Sequence, residues 1–462
     1  MTPPRLDRDV VVVGAGVVGS AIARELSRFQ IRCTLVEAAV DVGAGTSKAN
    51  TALLHTGFDA KPGTLEARLV RRGHELLSEY APRVGIPLAH TGALLVAWSD
   101  EQRREFAGIV ERAHANGYAA IREVETEELH RLEPHLDGAA RGALEVPDEG
   151  IVCPFTTPLA FATEAVLAGC ELRLDAPLSR LERLEPGFAL EVGGTRLTTR
   201  FLVNAAGLRS DEINGLAGHD GFTITPRRGE LIVFDKLARP LLDHIILAVP
   251  TGTTKGVLLA PTVFGNVLLG PTAEEVRDKT DTSSTAAGLA YLRSEGARIM
   301  PALLEHEVTS VYVGLRAATE HDDYQLSVHG SEGYACVGGI RSTGLTASMA
   351  IAEHVRTELE AAGLPLRAKE FVPPIRMPNI GELAPRPYEQ PQRIAENEDY
   401  GRIVCFCERV TRGEILDALG SPIPPRDLDG LRRRTRVLMG RCQGFFCGPC
   451  VEALLTGAAV QA

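Results

Sequence analysis

A βαβ pattern with three closely spaced glycines constrains this chain more than any other stretch. The apolar run at residues 9–13 is typical of a buried parallel strand, and a helical pattern follows up to about Ser27. A second strand, residues 32–36, ends at Glu37. The turn between the first strand and the helix reads Gly14-Ala15-Gly16-Val17-Val18-Gly19. Such a unit predicts dinucleotide binding, because the glycines let a pyrophosphate approach the helix N-terminus and the acid accepts hydrogen bonds from ribose hydroxyls.

Three further loops favour FAD over NAD, which the glycine pattern alone does not separate. Residues 43–50 are small and polar and come soon after Glu37. Residues 204–207 form a second turn from a strand to a glycine, and residues 338–346 form a third glycine loop that opens a helix. An extended cofactor needs several such contacts. An NAD-linked enzyme is not supported, because only one full glycine pattern is present.

Composition and charge exclude several classes of protein. The chain has 462 residues, 44% apolar and 24% charged, which is ordinary for a globular protein of two or three domains. Its net charge of −11 argues against nucleic acid as the main partner. We see no run of 18 apolar residues, so no transmembrane segment is expected. The first strand begins too early to leave room for a signal peptide, so we expect a cytoplasmic protein that reaches a membrane only peripherally, through a partner.

Four cysteines near the end of the chain have the spacing of ligands. Cys405 and Cys407 form a tight pair, and Cys442 and Cys447 form a second pair. Thiolates are the soft ligands that iron–sulfur clusters and zinc prefer. In the cytoplasm, the expected compartment, thiols stay reduced and are available for such ligation. Both an iron–sulfur cluster and a structural zinc remain open on spacing alone. Cys450 lies close to Cys447, so the ligand set is not fixed by the sequence.

The loops together resemble the FAD-dependent D-amino-acid-oxidase-like superfamily. The resemblance covers residues 8–360 and is greatest with the glycerol-3-phosphate dehydrogenase branch and its L-2-hydroxyglutarate dehydrogenase relatives. It is carried by Val11–Glu37, Thr46–Phe58, Asn204–Gly207, Arg227-Arg228-Gly229-Glu230, Gly314-Leu315-Arg316 and Gly338–Thr346. It implies FAD, covalently attached in some members. The cofactor-binding residues expected from the loops and the resemblance are Gly14, Ala15, Gly16, Val17, Val18, Gly19, Glu37, Thr46, Ser47, Asn50, Leu178, Ala206, Gly207, Gly339, Arg341, Thr343, Gly344, Leu345 and Thr346.

The expected fold class is α/β, α+β overall. A Rossmann-like, glutathione-reductase-like FAD domain is interrupted by a β-rich substrate domain and followed by a small cysteine-ligated domain. The expected boundaries are 1–90, 150–220 and 310–365 for the FAD domain, 91–149 and 221–309 for the substrate domain, 366–399 for a proline-rich linker and 400–462 for the C-terminal domain.

The C-terminal stretch, residues 403–450, resembles bacterioferritin-associated ferredoxin. The same module is appended to the large subunit of anaerobic glycerol-3-phosphate dehydrogenase. The resemblance implies a 2Fe–2S cluster on Cys405, Cys407, Cys442 and Cys447. Between the two pairs, residues 410–415 have the pattern of a capped helix start. The basic run at residues 432–436 is typical of a solvated helix face, with screening of the cluster or docking of an acidic partner as the alternative.

Oxidation of an alcohol or amine needs a base and a cation that orients the substrate. His55, just after the cofactor loop, is the first candidate for the base, with flavin stacking, backbone positioning and covalent flavin attachment as alternatives. Arg316 corresponds to the family's arginine near the substrate and suits a phosphate or a carboxylate. Lys255 is a second candidate anion ligand, and Arg341 can contact flavin or substrate.

One loop departs from the glycerol-3-phosphate enzymes. They usually continue the His-x-Gly loop with an arginine–tyrosine pair, whereas this chain has Phe58-Asp59-Ala60-Lys61-Pro62-Gly63-Thr64. An acidic residue here disfavours a dianionic phosphate nearby.

The sequence therefore predicts an FAD-dependent dehydrogenase acting on a small anionic alcohol. The best candidate reaction converts glycerol 3-phosphate to dihydroxyacetone phosphate, with electrons passed through the cluster to a protein or a quinone, and with other redox subunits as expected partners. The alternatives are L-2-hydroxyglutarate or another 2-hydroxy acid, an amine or amino acid as in opine and sarcosine enzymes, and a non-catalytic electron-transfer subunit.

Overall fold

The structure is a computed structural model that describes residues 6–250 and 256–457. Its strands, in chain order, are β1 Arg8–Val13, β2 Cys33–Val36, β3 Leu53–Leu54, β4 Leu88–Ala89, β5 Ala93–Val96, β6 Arg122–Val124, β7 Ala143–Val146, β8 Gly150–Val152, β9 Glu171–Arg173, β10 Leu178–Arg183, β11 Phe188–Val192, β12 Thr195–Asn204, β13 Thr225–Phe234, β14 Ile245–Ala248, β15 Leu258–Pro261, β16 Val267–Gly270, β17 Glu274–Glu275, β18 Val308–Ala318, β19 Gln325–His329, β20 Tyr334–Gly338, β21 Ile403–Cys405 and β22 Val410–Thr411. Its helices are α1 Val17–Ser27, α2 Leu65–Val84, α3 Asp100–Arg104, α4 Phe106–Ala115, α5 Thr126–Leu132, α6 Thr156–Leu167, α7 Ser210–Leu216, α8 Ala286–Ile299, α9 Gly344–Ala361, α10 Pro391–Glu396, α11 Arg412–Leu419, α12 Leu428–Thr435 and α13 Gly448–Thr456.

The first sheet has a parallel centre. Strands β9, β2, β1, β12 and β20 pair in that order, all parallel. Strand β19 pairs antiparallel with β20, and the β10–β11 hairpin pairs antiparallel with β12. Helix α1 packs against α6 and α9, and α9 packs against α2. The central strands are buried because helices cover the sheet, which explains why β1 and β2 are continuous apolar runs.

The second sheet is mostly antiparallel and is built from two separate stretches of chain. Its order is β17, β13, β16, β15, β14, β5, β7 and β6, with β18 paired to β13. The pairing of β13 with β18 is long and runs from Thr225 opposite Ala318 to Phe234 opposite Val308. A β-rich unit thus interrupts the nucleotide-binding unit, which confirms the predicted fold class. We keep the domain boundaries as a proposal.

The C-terminal module is small and mainly helical. A short hairpin, β21 and β22, leads into α11, whose N-cap Thr411 accepts a hydrogen bond from the Glu414 amide while the Glu414 carboxylate accepts one from the Thr411 amide. This capping box confirms the helix start predicted at residues 410–415. Before the module, residues 366–399 are mostly irregular and contain α10 and two short helical turns, and the Arg386 guanidinium is buried against Glu414. In the described ranges, none of the helices is long and apolar enough to cross a membrane.

A buried carboxylate joins this module to the nucleotide-binding unit. Asp41, which is 1% exposed, accepts hydrogen bonds from both terminal nitrogens of Arg434 at 2.7 Å. It also accepts one from Arg433 at 2.5 Å. A Cβ at Gly430 would lie 2.9 Å from the Asp41 Oδ2 atom, so the glycine lets α12 approach the carboxylate closely. Because Asp41 follows Glu37, the acid predicted to bind the cofactor, by four residues, the module is fixed directly to the loop after β2.

The basic run at residues 432–436 is therefore neither a solvated face nor a free docking site. Arg433 and Arg434 bind Asp41, and the Arg436 guanidinium lies 4.2 Å from the centre of the Phe264 ring and bonds Glu408. The prediction of a solvated helix face was wrong for these three side chains, each under 9% exposed. The acids that neutralise them are distant in sequence, which the local pattern of charge does not reveal.

We predict that Asp41→Asn weakens the attachment of the module. The substitution leaves two buried guanidinium groups without their carboxylate, and removing one partner of a buried pair costs about 3–5 kcal/mol. Thermal unfolding followed by circular dichroism should show a lower melting temperature for the module. The matched control is Asp322→Asn, whose pair with Lys61 is exposed on both sides and contributes about 0–1 kcal/mol.

The same pair makes this attachment sensitive to acid. Burial alone would raise the pKa of Asp41, but the hydrogen bonds and charges of Arg434 and Arg433 lower it overall, below its ordinary value of 3.8. The stabilisation is therefore fully present above pH 3.8 and is lost as the pH falls through the lower folded-state pKa. Equal acid sensitivity of the wild type and Asp41→Asn would contradict this role.

Candidate active site

The glycine turn at residues 14–19 and the predicted loops at residues 204–207 and 338–346 meet at one edge of the first sheet. They follow β1, β12 and β20, which are neighbouring parallel strands, so their carboxyl ends lie side by side. A cavity opens at this edge. The predicted residues that line it are Gly16, Val17, Val18, Thr46, Ser47, Asn50, Gly207, Arg341, Thr343, Gly344 and Leu345. The structure thus brings together residues predicted from separate parts of the sequence.

The three glycines of the first turn have different surroundings. Gly14 has a φ of +102°, and a Cβ there would lie 2.5 Å from the Ala205 carbonyl oxygen. A Cβ at Gly19 would lie 1.8 Å from the Gly14 carbonyl oxygen. A Cβ at Gly16 would meet only the Ser47 hydroxyl, at 3.2 Å. The first and third glycines are therefore required by backbone packing, and the second borders the space for the cofactor.

Two helix N-termini contribute to this cavity without a side-chain cap. Neither Gly16 before α1 nor Thr343 before α9 makes a capping hydrogen bond, and neither helix has an acidic residue in its first turn. The Ser47 hydroxyl accepts a hydrogen bond from the Val17 amide at 2.9 Å. Exposed amide groups and the helix dipole favour a negative group at such ends. The arrangement fits the pyrophosphate of FAD.

Glu37 lies beside this turn. Its carboxylate accepts hydrogen bonds from the amides of Ala15 at 2.7 Å and Ala39 at 2.9 Å. Burial raises the pKa of Glu37, and these backbone bonds oppose the rise. Its position at the end of β2 suits the predicted contact with ribose hydroxyls.

Other predicted cofactor residues lie around the cavity or farther away. The Thr346 hydroxyl accepts a hydrogen bond from the His55 amide, and so it ties α9 to the His55 loop. Ala206 precedes Gly207, and Gly339 takes a φ of +64° in the third loop. Leu178 lies on β10 and packs against an apolar cluster that includes Val11 and Val36. It is not among the described residues that line the cavity. A cofactor contact for Leu178 stays a prediction.

A second cavity of about 380 Å³ adjoins the first. Both are lined by Leu53, His55, Pro271, Arg316 and Arg341, so the two cavities are adjacent. Its size falls in the range of small-molecule sites.

Arg316 is the principal cation of this second cavity. It lies on β18 directly opposite Arg227 of β13, and like charges in that position destabilise a sheet. Its guanidinium has one long contact, 3.5 Å to the Thr272 carbonyl oxygen, whereas Arg227 opposite it pairs with Glu275 at 3.1 Å. Burial, and then the charge of Arg227, lower the pKa of Arg316 to about 10. An anion between the two strands would relieve this repulsion.

The other charges of the cavity are also mainly positive. Among its described lining residues, Arg112, Arg227, Arg316 and Arg341 outnumber the acids Asp59 and Glu66, four to two. Glu66 already accepts a hydrogen bond from the Thr343 hydroxyl at 3.0 Å. Asp59, which the sequence singled out as unfavourable for a phosphate, does line this cavity. Lys255, the other predicted anion ligand, lies outside the described residues.

His55 is oriented by a buried carboxylate. Its Nδ1 atom lies 3.1 Å from Oε2 of Glu149, a residue with 0% exposure. The other oxygen of Glu149 accepts hydrogen bonds from the Thr56 amide at 2.7 Å and hydroxyl at 2.9 Å. When Nδ1 donates to this carboxylate, the proton is on Nδ1 and the lone pair is on Nε2. This is the tautomer that a general base requires.

The sequence analysis missed Glu149. It lies in the turn between β7 and β8, in the run Pro147-Asp148-Glu149-Gly150, where an acidic residue is expected to be exposed. Its partner His55 is 94 residues away, so spacing gave no sign of the contact. Glu149 and His55 meet because β8 pairs with β3, the strand that immediately precedes His55.

The four predicted ligand cysteines lie together. Burial raises the pKa of Cys407 and of Cys447, and the neighbouring thiols of Cys442 and Cys405, respectively, raise it further. Hydrogen bonds from the amides of Phe446, Gly444 and Phe445 lower the pKa of Cys442. Such amide donors favour the thiolate that ligates a metal. Cys450 lies farther along, within α13.

Four thiols so placed suit either a 2Fe–2S cluster, which needs a pair of protein ligands for each iron, or a structural zinc ion, which takes four ligands around one centre. The match to a known domain, given next, distinguishes the two.

Comparison with known proteins identifies two families in this chain. Residues 9–357 match the model "FAD dependent oxidoreductase" and residues 403–456 match the "BFD-like [2Fe-2S] binding domain". The chain is 34% identical over 450 residues to a glycerol 3-phosphate dehydrogenase of Caloramator mitchellensis, covering 97% of this chain and 93% of that protein.

Two further relatives cover only part of the chain. The dithionite-reduced L-α-glycerophosphate oxidase of Mycoplasma pneumoniae, a structure with FAD bound, superposes with a TM-score of 0.76 at 28% identity and covers 81% of this chain and 99% of its own. A mitochondrial L-2-hydroxyglutarate dehydrogenase of Caenorhabditis elegans is 30% identical over 275 residues, which is 57% of this chain and 63% of that protein.

We predict that Cys442→Ser removes the cluster and that Cys450→Ser retains it, because Cys442 belongs to the four thiols that lie together. The wild type should contain iron and acid-labile sulfide in about equal amounts, as a 2Fe–2S cluster requires. Metal analysis and sulfide assay of the purified proteins measure both. Zinc without sulfide in the wild type, or loss of iron only in Cys450→Ser, would contradict the assignment.

Proposed function

This chain belongs to the FAD-dependent oxidoreductase family and carries a BFD-like 2Fe–2S domain, and on that premise we propose that it is a glycerol-3-phosphate dehydrogenase. The reaction would convert glycerol 3-phosphate to dihydroxyacetone phosphate. The observation that carries the proposal is the pair Arg316 and Arg227, opposite each other on β18 and β13 beside the cofactor cavity.

A phosphate group is the substrate anion that best suits this pair. Two guanidinium groups can share a dianion, and each is a strong donor to phosphate oxygens. Arg341 adds a third cation near the cofactor cavity. Because Arg227 also pairs with Glu275 and Arg341 lies 3.9 Å from Glu66, Arg316 is the cation to which we assign the phosphate first. The relative that spans nearly the whole chain, cysteine module included, is also named for this substrate.

His55 is the proposed general base. When bound, FAD supplies the acceptor for the two electrons and the hydrogen that leave the substrate carbon. The Nε2 lone pair of His55 would take the hydroxyl proton, and Glu149 would stabilise the resulting imidazolium and keep its orientation. Arg316 would bind the phosphate and hold the carbinol carbon in one orientation.

The cysteine module is the proposed exit for electrons. Phe406, Phe445 and Phe446, which flank the ligand cysteines in sequence, are 62%, 92% and 67% exposed. An exposed apolar rim is suited to contact with a partner. We propose that the acceptor is a protein or a quinone, and that it meets the enzyme in the cytoplasm or at a membrane through a partner subunit.

A 2-hydroxy acid such as L-2-hydroxyglutarate is the second candidate. Its carboxylates would also bind Arg316, and its lower charge near Asp59 would cost less than a phosphate dianion. The relatives of that name cover a smaller part of the chain.

We predict that glycerol 3-phosphate reduces the bound flavin in the absence of oxygen. The measurement is bleaching of the flavin absorbance after anaerobic addition of glycerol 3-phosphate, L-2-hydroxyglutarate or glycerol. Bleaching by L-2-hydroxyglutarate alone would replace the first candidate with the second. If no hydroxy acid, polyol phosphate or amine bleaches the flavin, the isolated chain is an electron-transfer subunit and the proposal fails.

Arg316→Ala provides the matched test of the phosphate site. Loss of one charge-assisted contact should lower kcat/KM for glycerol 3-phosphate at least about tenfold. The slow reaction with glycerol, which lacks the phosphate, should change much less. Equal losses with both substrates would show that Arg316 supports the fold of the site and does not bind the phosphate.

We predict that Glu149→Gln lowers turnover by at least about a hundredfold with little change in KM, because an amide can donate to Nδ1 and place the proton on Nε2. Glu149→Asp should restore part of the activity. The matched control is Glu145→Gln on β7, whose partner is Arg122. A change in FAD content or melting temperature with an unchanged pH profile would indicate a purely structural role for Glu149.

A further inference from the structure

A third cavity, of about 370 Å³, lies where three parts of the molecule meet. One wall is the cofactor loop at residues 48–52, another is β18, and the third is α12 with Met439 and Gln443 of the cysteine module. Its volume falls in the range of sites for small organic molecules. Residues 49–51 also line the cofactor cavity, so a thin layer of chain separates the two spaces.

The cofactor loop is held in place at this wall. The Tyr312 hydroxyl donates a hydrogen bond to the Asn50 carbonyl oxygen at 2.7 Å, and the Asn50 side chain binds the Ser47 carbonyl oxygen at 2.8 Å. The Asn50 Oδ1 atom accepts a hydrogen bond from the Ala52 amide at 2.7 Å. The wall is therefore preformed, and a ligand would not have to order it.

Lys48 is a half-buried cation of this cavity that makes no direct ion pair with a carboxylate in the described part of the chain. Burial, and then the charge of Arg433, lower the pKa of Lys48, while the more distant carboxylates of Asp429 and Asp427 oppose the shift. A buried amine without a counterion costs free energy, which a bound anion would reduce.

The other cations of the cavity already have acidic partners. Arg432 binds Asp429 at 3.1 Å, Arg433 binds Asp41 and Arg436 binds Glu408. Asp41 is shared between Arg433 and Arg434, so two cations face one carboxylate there. The described lining residues of the cavity include four cations and one carboxylate, Asp429, whereas the whole chain carries a net charge of −11.

Another part of the wall is apolar. Phe155 and Phe264 stack with ring centres 5.6 Å apart and an interplanar angle of 20°, and the Arg436 guanidinium lies over the Phe264 ring. Val311 and Met439 extend this surface. A ligand that satisfies both parts of the wall needs a flat apolar body and a negative group.

We propose that this cavity binds a small amphipathic aromatic anion, with its negative group at Lys48 and Arg432 and its apolar body against Phe155 and Phe264. The site is separate from the proposed substrate site, with which it shares only Thr51 among the described lining residues. The site lies between the cofactor loop and the cysteine module. A bound ligand would therefore strengthen the contact between that loop and the module.

The test uses 8-anilino-1-naphthalenesulfonate and its uncharged analogue N-phenyl-1-naphthylamine as fluorescent probes of the FAD-loaded full chain. Lys48→Met should weaken sulfonate binding at least about tenfold, since it removes a charge-assisted contact. Binding of the uncharged analogue should change less than about twofold. Lys48→Arg should retain sulfonate binding, and Lys61→Met, at an exposed lysine, should match the wild type.

Saturating glycerol 3-phosphate should leave the bound sulfonate in place. Unchanged sulfonate affinity in Lys48→Met would overturn the proposal. So would equal losses with both probes, which would mean that the wall itself had changed. Displacement by glycerol 3-phosphate would locate the probe in the substrate cavity and would also overturn it. Flavin absorbance of each variant checks that the cofactor and its loop are retained.

Discussion

The buried pairing of Asp41 with Arg433 and Arg434 is the interaction on which the relation between the two redox units depends. It joins residues about 390 positions apart and fixes the cysteine module to the loop that follows the nucleotide-binding acid. A buried ion pair adds little net stability compared with apolar packing, but its geometry is specific and its disruption is costly. The pair therefore acts mainly by positioning the module. The apolar contacts around Phe264 and Met439 depend on that position.

Local sequence rules predicted much of the fold because the relevant interactions are themselves local. The glycine turn after β1, the helix α1 and the acid at the end of β2 follow from apolar periodicity and from backbone space within thirty residues. The capping box of Thr411 and Glu414 is equally local. The meeting of the three cofactor loops was also predictable, since parallel strands place their carboxyl ends together.

What the sequence did not reveal is long-range pairing of charge. Glu149 in a turn and the arginines at 433, 434 and 436 have the local pattern of exposed residues, yet all four are buried. Their partners come from other strands and loops, and no spacing rule connects them. Arg316 and Arg227 likewise lie opposite each other only because of the register of β18 against β13. Predictions made for single residues do not include that register. The sequence could identify Arg316 but not the neighbour that lowers its pKa.

The cross-strand arginine pair also has a consequence for how the protein responds to its surroundings. Two like charges held opposite each other make the ligand-free state less stable than the same sheet with a neutral pair. A dianion that binds between them would raise the melting temperature in proportion to the logarithm of its concentration, and dissolved salt would weaken that effect by screening. The protein would then be most resistant to heat and proteolysis when this site is occupied.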